Sequence, residues 1–287
     1  MAGMLIILSA LIAHQIEAMT VKRYGDKKGE GGMFFNAFLC LFAVVYFVIS
    51  DKGGFDFYKG IWIYGIVNSL MFAIGFYSMY IALREGSFGL TRLIVSFTGV
   101  VSIFYGVVVL KEKLSLIQCF ATILIFASIF LMRYQKSEAG EKKKFSLKWI
   151  IAMILTFGSN AAIGILGKIQ QVKFDNIYKN EYLIITFVGS ALWLFILGFI
   201  YERESFKPTV KTGLLYGFVA GICNGVGNWL TLIANEFLNL SIVSPLKSGF
   251  SIVITFVASL LFYKEKFSVR QYIGVGIGVA AVVLISL

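Results

Sequence analysis

Charged side chains are scarce in this chain. Asp, Glu, Lys and Arg make up 14% of its 287 residues, against about 25% in a soluble domain. So little polar surface cannot cover a globule in water, which excludes an ordinary soluble fold. Cysteine is equally sparse. Cys40, Cys119 and Cys223 all fall inside apolar runs, which excludes a disulfide framework or a Cys-x-x-Cys metal knuckle and leaves three small apolar side chains expected to be buried. Also absent are a Walker loop, a His-Glu-x-x-His helix, a Gly-x-Ser-x-Gly elbow and any dense Asp/His cluster. Neither direct use of ATP nor an enzymatic chemistry is therefore indicated, and no cofactor or metal is implied. The few charges lean to one sign, giving a net +11. Because Lys and Arg come in short runs between apolar spans, they speak for membrane orientation and against nucleic-acid binding, which needs a continuous basic patch.

What is present is apolar length. Hydrophobic residues make up 59% of the chain and the mean hydropathy is +0.85. About 20 mostly apolar residues cross about 30 Å of hydrocarbon as a helix, and ten such runs fall near residues 2–22, 33–50, 60–83, 88–110, 115–133, 147–169, 180–201, 211–234, 239–263 and 268–286. Their apolar residues are continuous instead of alternating. The spans are therefore helices, which satisfy their own backbone in lipid, and the fold class is all-α integral membrane with ten transmembrane helices. The first run has no basic region before it, is too long for a signal core and carries His14, Gln15 and Glu17 near its end; it reads as a retained helix. The polar stretch TVKRYGDKKGEGG, residues 20–32, then reads as the first loop. The longest connection, YQKSEAGEKKKFS from Tyr134 to Ser146, is basic and lies near the middle of the chain. It divides a first unit, 1–134, from a second, 147–287, through a linker at 135–146.

The two units repeat one another. YGIVNSLMFAIGFYSMYIA from Tyr64 lies over YGFVAGICNGVGNWLTLIA from Tyr216 at an offset of 152, pairing Gly65 with Gly217, Gly75 with Gly227 and Ala82 with Ala234. KEKLSLIQ from Lys111 lies over KEKFSVRQ from Lys264 at an offset of 153. With five helices each, an odd number, the halves enter the membrane in opposite directions, as in the inverted repeats of secondary transporters, which bind substrate near the midplane where the halves meet.

Two longer stretches, SFTGVVSIFYGVVVLKEKLSLIQ from Ser96 and SPLKSGFSIVITFVASLLFYKEKFSVRQYIGVGIGV from Ser244, each close one helix in Lys-Glu-Lys and open the next. They resemble the duplicated signature of the drug/metabolite transporter superfamily, EamA-like branch. The resemblance covers nearly the whole chain. It implies a five-plus-five plan and transport of a small metabolite or drug, in a family that moves amino acids, nucleobases, amines and sugar phosphates. It also implies a multi-pass protein of a cell membrane, here a bacterial plasma membrane. Many relatives carry proline about 14 residues before the helix-ending Glu, where this chain has Thr98 and Ser251, so a kink there is not expected from the same cause.

Ionisable groups inside hydrocarbon are functional suspects, costing at least about 2.5–3.5 kcal/mol on insertion scales. His14 and Glu17 are three apart on the first helix and share a face. Histidine is the side chain whose ordinary titration falls near neutral pH, and desolvation raises carboxylates towards it, so such a pair can take up and release a proton. Eight residues separate His14 from Lys22 and Asn160 from Lys168, which sets His14 opposite Asn160 in the repeat. The related small multidrug resistance transporters carry their substrate- and proton-binding Glu eight residues before a similar Lys, and that resemblance implies a central place for His14, with Glu17 one turn beyond. The competing reading is an ion pair of Glu17 with Lys22. Lys247, with Ser244, Ser248 and Pro245 around it, suits the wall of a water-filled cavity, whereas Arg92 reads as snorkelling to the interface. Asn224, Asn228 and Trp229 on the eighth helix, with Tyr77 opposite Trp229 in the repeat, supply amides for polar substrates and aromatic faces for cations.

Gly217, Gly221 and Gly225, and again Gly274 and Gly278, recur every four residues and predict close helix contact, the second set equally suiting a homodimer. Odd-numbered loops hold 17 Lys and Arg and even-numbered loops six, which puts both termini outside by the positive-inside rule; family resemblance implies both inside. The expected function is alternating-access transport or facilitated passage of a small polar or amphipathic metabolite, with protons as a possible driver. Its partners are that small molecule and the lipid bilayer, acting as monomer or homodimer. A lipid-linked cargo and a non-transporting membrane scaffold are the alternatives.

Overall fold

The computed structural model describes residues 2–28, 31–51, 53–86, 91, 94–95, 97–132, 146–262 and 268–285. Within them lie ten helices: α1 (Ala2–Lys28), α2 (Gly32–Ser50), α3 (Lys59–Glu85), α4 (Thr98–Val108), α5 (Leu116–Met132), α6 (Leu147–Lys173), α7 (Lys179–Tyr201), α8 (Phe206–Phe237), α9 (Leu240–Phe262) and α10 (Val269–Ile285). A 3-10 turn, Arg203–Ser205, leads into α8. Helices α1, α2, α3, α6, α7 and α8 are each long and apolar enough to cross a membrane unaided. Arg92, linker residues 135–145 and the second Lys-Glu-Lys lie outside the described residues.

The packing reproduces the repeat. Helix α1 lies along α8 as α6 lies along α3, α2 meets α8 as α7 meets α3, and α1 meets α9 as α6 meets α4. The pairs α2 with α7, α4 with α9 and α5 with α10 are each a helix against its own counterpart. This is the contact pattern of two inverted five-helix repeats related by a pseudo-two-fold axis.

At two boundaries aromatic packing carries a helix past its expected polar end. Helix α1 continues to Lys28, through much of the stretch read as a loop, because Tyr24 is buried and stacks on Phe35 with ring centroids 4.2 Å apart. Helix α8 begins at Phe206, whose ring meets Phe34 edge-on at 5.1 Å. Cysteine burial is also corrected. Cys40 is buried and Cys223 half-buried, but Cys119 is exposed on α5, where lipid is the surrounding solvent and an apolar side chain loses nothing by facing out.

The glycine rows make helix contacts. A Cβ on Gly221 would lie 2.4 Å from the Leu39 carbonyl oxygen, and one on Gly225 would lie 3.2 Å from the Tyr46 ring, so this row seats α8 on α2. On α10, a Cβ on Gly278 would lie 2.6 Å from Ser128 Oγ, which itself donates to the Gly274 carbonyl at 2.5 Å. That row is used inside the chain, against α5.

Candidate functional site

Between the halves lies a cavity of about 260 Å³, just under the roughly 300–1,000 Å³ of typical small-molecule pockets. Its walls come from α1, α3, α4, α6, α7, α8 and α9. Six of the residues singled out in the sequence line it: His14, Glu17, Asn160, Asn224, Asn228 and Lys247. Trp229 and Tyr77 lie elsewhere. Trp229 Nε1 donates to Asn180 Oδ1 at 3.0 Å and its ring meets Tyr46 edge-on, while the Tyr77 hydroxyl donates to Glu202 Oε1 at 3.3 Å near the end of α7.

His14 Nδ1 is 3.1 Å from Glu17 Oε2, and both side chains are largely shielded, at 18% and 14% exposure. Lys22 is not the partner of Glu17. Its Nζ instead reaches Asp26 Oδ1 and the Leu83 carbonyl oxygen, each at 3.3 Å. The His14 ring is held against α8, where a Cβ on Gly227 would lie 2.7 Å from Cε1 and Nε2. The other half repeats the arrangement: a Cβ on Gly75, the counterpart of Gly227, would lie 2.9 Å from Ser159 Oγ, beside Asn160.

The polar lining is rich in acceptors. Asn160 Nδ2 donates to the Thr156 carbonyl at 2.8 Å, and Asn228 Nδ2 donates to both the carbonyl and the side-chain oxygen of Asn224, at 3.0 and 2.9 Å. Thr98, Thr231 and Ser248 turn their hydroxyl protons onto the carbonyls of Val95, Gly227 and Ser244 at 2.8, 2.8 and 3.1 Å. With these donors engaged, the Asn228 amide and the three hydroxyls offer a ligand lone pairs, while the Asn160 amide keeps a second N–H. To these Glu17 adds a carboxylate, and Lys247 on α9 adds a cation. Thr98 and Ser251, each 14 residues before the Glu of a Lys-Glu-Lys, both line the cavity. Ser102, Thr231 and Asn235 also contribute, and nothing in the sequence marks them out from other polar residues on apolar helices.

Each half carries the same lysine contact. Lys22 Nζ donates to the carbonyl of Leu83 at 3.3 Å, and Lys168 Nζ donates to the carbonyl of Asn235 at 3.1 Å. Residues 83 and 235 are related by the same offset of 152 that aligns α3 with α8. Each lysine therefore satisfies an orphan carbonyl in the last turn of the matching helix, where the dipole favours a cation. Glu112, from the first Lys-Glu-Lys, receives the Leu240 and Ser241 backbone N–H groups at 3.1 and 2.8 Å. It thereby caps α9 from the other half, an interaction of the kind worth about 0.5–2 kcal/mol. The acid in that signature is thus a clamp between repeats.

A polar chamber enclosed by two inverted five-helix repeats defines the class, that of membrane transporters built on internal duplication. The comparisons name the branch: this chain belongs to the EamA-like transporter family, matched over residues 1–134 and again over 147–287, and so to the drug/metabolite transporter superfamily as a multi-pass membrane protein. No curated protein sequence matches it significantly. A crystal structure of another protein superposes with a TM-score of 0.76 at 11% identity, over 100% of this chain and 98% of the other. That likeness is one of fold alone.

Proposed function

We propose that this protein is a secondary transporter of the cell membrane that carries a small polar or amphipathic metabolite bearing N–H donors, by alternating access, in exchange with protons at His14 and Glu17. The acceptor-rich cavity carries the reading. Carbonyl, hydroxyl and carboxylate oxygens converge there with the His14–Glu17 contact among them, and a ligand is recognised by supplying what its site lacks. Lys247 adds a cation to the cavity and His14 lies against the Glu17 carboxylate, which needs positive charge around it, since an uncompensated buried ion costs several kcal/mol. A proton on His14 or a substrate ammonium meets that need equally well, which makes the two competitors.

The experiment is a thermal-unfolding screen of detergent-purified protein against amines, amino acids, nucleobases and sugar phosphates. A ligand at 100 times its dissociation constant adds about 2.7 kcal/mol of stability. Ligands with N–H donors should raise the unfolding midpoint, less so as pH falls. Stabilisation by sugar phosphates alone would overturn the reading.

A further inference from the structure

A second site lies away from the central cavity, and what is carried has no bearing on it. Where α3 and α7 end and α2 and α6 begin, there is a polar chamber of about 490 Å³. It adjoins an apolar groove of about 290 Å³ on the outer surface of α3, α6 and α7, the two sharing Tyr77, Ile81 and Lys148 as walls. Small residues, Ala73, Ser78 and Ala152, form the groove's buried floor, and Leu70, Ile151, Leu155 and Trp193 form its exposed rims. The groove runs along α3 from Leu70 to Ile81, about 16 Å at 1.5 Å per residue. A polar chamber at the level of the helix ends, with a narrow apolar groove leading from it towards mid-bundle, has the shape and polarity of one bilayer lipid.

Two observations select the headgroup. Tyr80, which lines the chamber, is only 3% exposed, and its buried hydroxyl has no hydrogen-bond partner among the described residues. The ring cannot swing aside easily, because it rests on α2 where a Cβ on Gly32 would lie 2.4 Å from its Cε1. A buried hydroxyl left unpaired costs about 1–3 kcal/mol, and a phosphate oxygen would accept from it. The chamber also carries both signs of charge, Arg84, Lys148 and Arg203 against Glu85, Glu202 and Glu204. Glu202 is engaged with the Met33 N–H at 2.9 Å and with Tyr77, and Glu85 Oε1 lies 3.6 Å from Lys148 Nζ. A purely anionic headgroup would meet these carboxylates, whereas a headgroup with a phosphate and a primary ammonium matches both signs.

We infer that an amine-bearing phospholipid occupies this chamber and groove, its phosphate accepting from Tyr80 and facing Arg84 and Arg203, its ammonium facing Glu204, and one acyl chain lying in the groove past Trp193. The test uses the full chain, purified in detergent and titrated with phosphatidylethanolamine, phosphatidylglycerol, phosphatidylcholine or glycerophosphoethanolamine, reading the unfolding midpoint. Phosphatidylethanolamine should act at about a tenfold lower concentration than the other two lipids, and the chain-free headgroup should do nothing. Tyr80→Phe should weaken the phosphatidylethanolamine response about tenfold, as loss of a hydrogen bond to a charged group does. Its lipid-free midpoint should not fall, because the hydroxyl it removes has no partner. Phosphatidylethanolamine brominated in its acyl chains should quench tryptophan emission in the wild type and much less in Trp193→Phe. Equal responses to the three lipids, an unchanged Tyr80→Phe titration, a full response to glycerophosphoethanolamine or undiminished quenching in Trp193→Phe would each overturn the inference.

Discussion

Replacing Glu17 with Gln and His14 with Ala together should leave a folded protein whose transport no longer responds to a pH gradient. In the wild type the two groups are 3.1 Å apart and shielded on the same face of α1, so one proton added to the pair changes its net charge inside a site where charge is expensive. Gln keeps the acceptor oxygen and loses the charge; Ala removes the base. Uptake into proteoliposomes with an imposed gradient should fall from several times the no-gradient rate to that rate itself, while binding of a neutral substrate persists. Gradient-driven uptake that survives the double change would place proton coupling elsewhere or nowhere.

Gly227→Ala should be the most damaging single-methyl change in the site. The added Cβ would lie 2.7 Å from Cε1 and Nε2 of His14 and 2.9 Å from Cδ2, so either the imidazole leaves Glu17 or α1 and α8 part. Overpacking of this kind costs about 1–3 kcal/mol. Here the strain falls on the imidazole proposed to carry the proton, and transport should drop by about tenfold or more. Gly276→Ala on α10 is the control. Nothing lies within 4 Å of its Cβ position, and alanine is the better helix former by about 1 kcal/mol. Its stability and transport should match or exceed those of the wild type. A fully active Gly227→Ala would show that the His14 ring is free to move without consequence.

The sequence disclosed most of the architecture because the duplication is physical as well as textual. Lys22 and Lys168 align by spacing alone, and the structure gives both the same task, each bonded to a carbonyl at matched positions of α3 and α8. Glycine spacing likewise announced which face of α8 is close-packed, since a row without side chains serves little else in lipid. The cavity was legible where an ionisable residue was too costly to explain otherwise, as with His14, Glu17 and Lys247, and where repeat alignment or clustering marked an amide, as with Asn160, Asn224 and Asn228. Ser102, Thr231 and Asn235 were not, because a hydroxyl or amide can satisfy itself on its own helix and its presence does not say which way that helix faces. Trp229 and Tyr77 failed as pointers for a related reason: each aligned well in the repeat, but each hydrogen-bonds away from the cavity, to Asn180 and Glu202. Glu112 was visible as a motif, yet its role depends on α9 from the other half, a contact between residues far apart in the chain.

The central claim is that a small molecule occupies the cavity between the repeats and is handed across the membrane without an open pore. Solute counterflow in proteoliposomes tests this most directly: vesicles are loaded with a stabilising ligand from the unfolding screen and diluted into a trace of the labelled form. An alternating-access carrier should accumulate label transiently above its equilibrium level, and Lys247→Ala or Asn228→Ala should reduce the overshoot. Label that rises only to equilibrium, or no faster than in protein-free vesicles, would contradict the account.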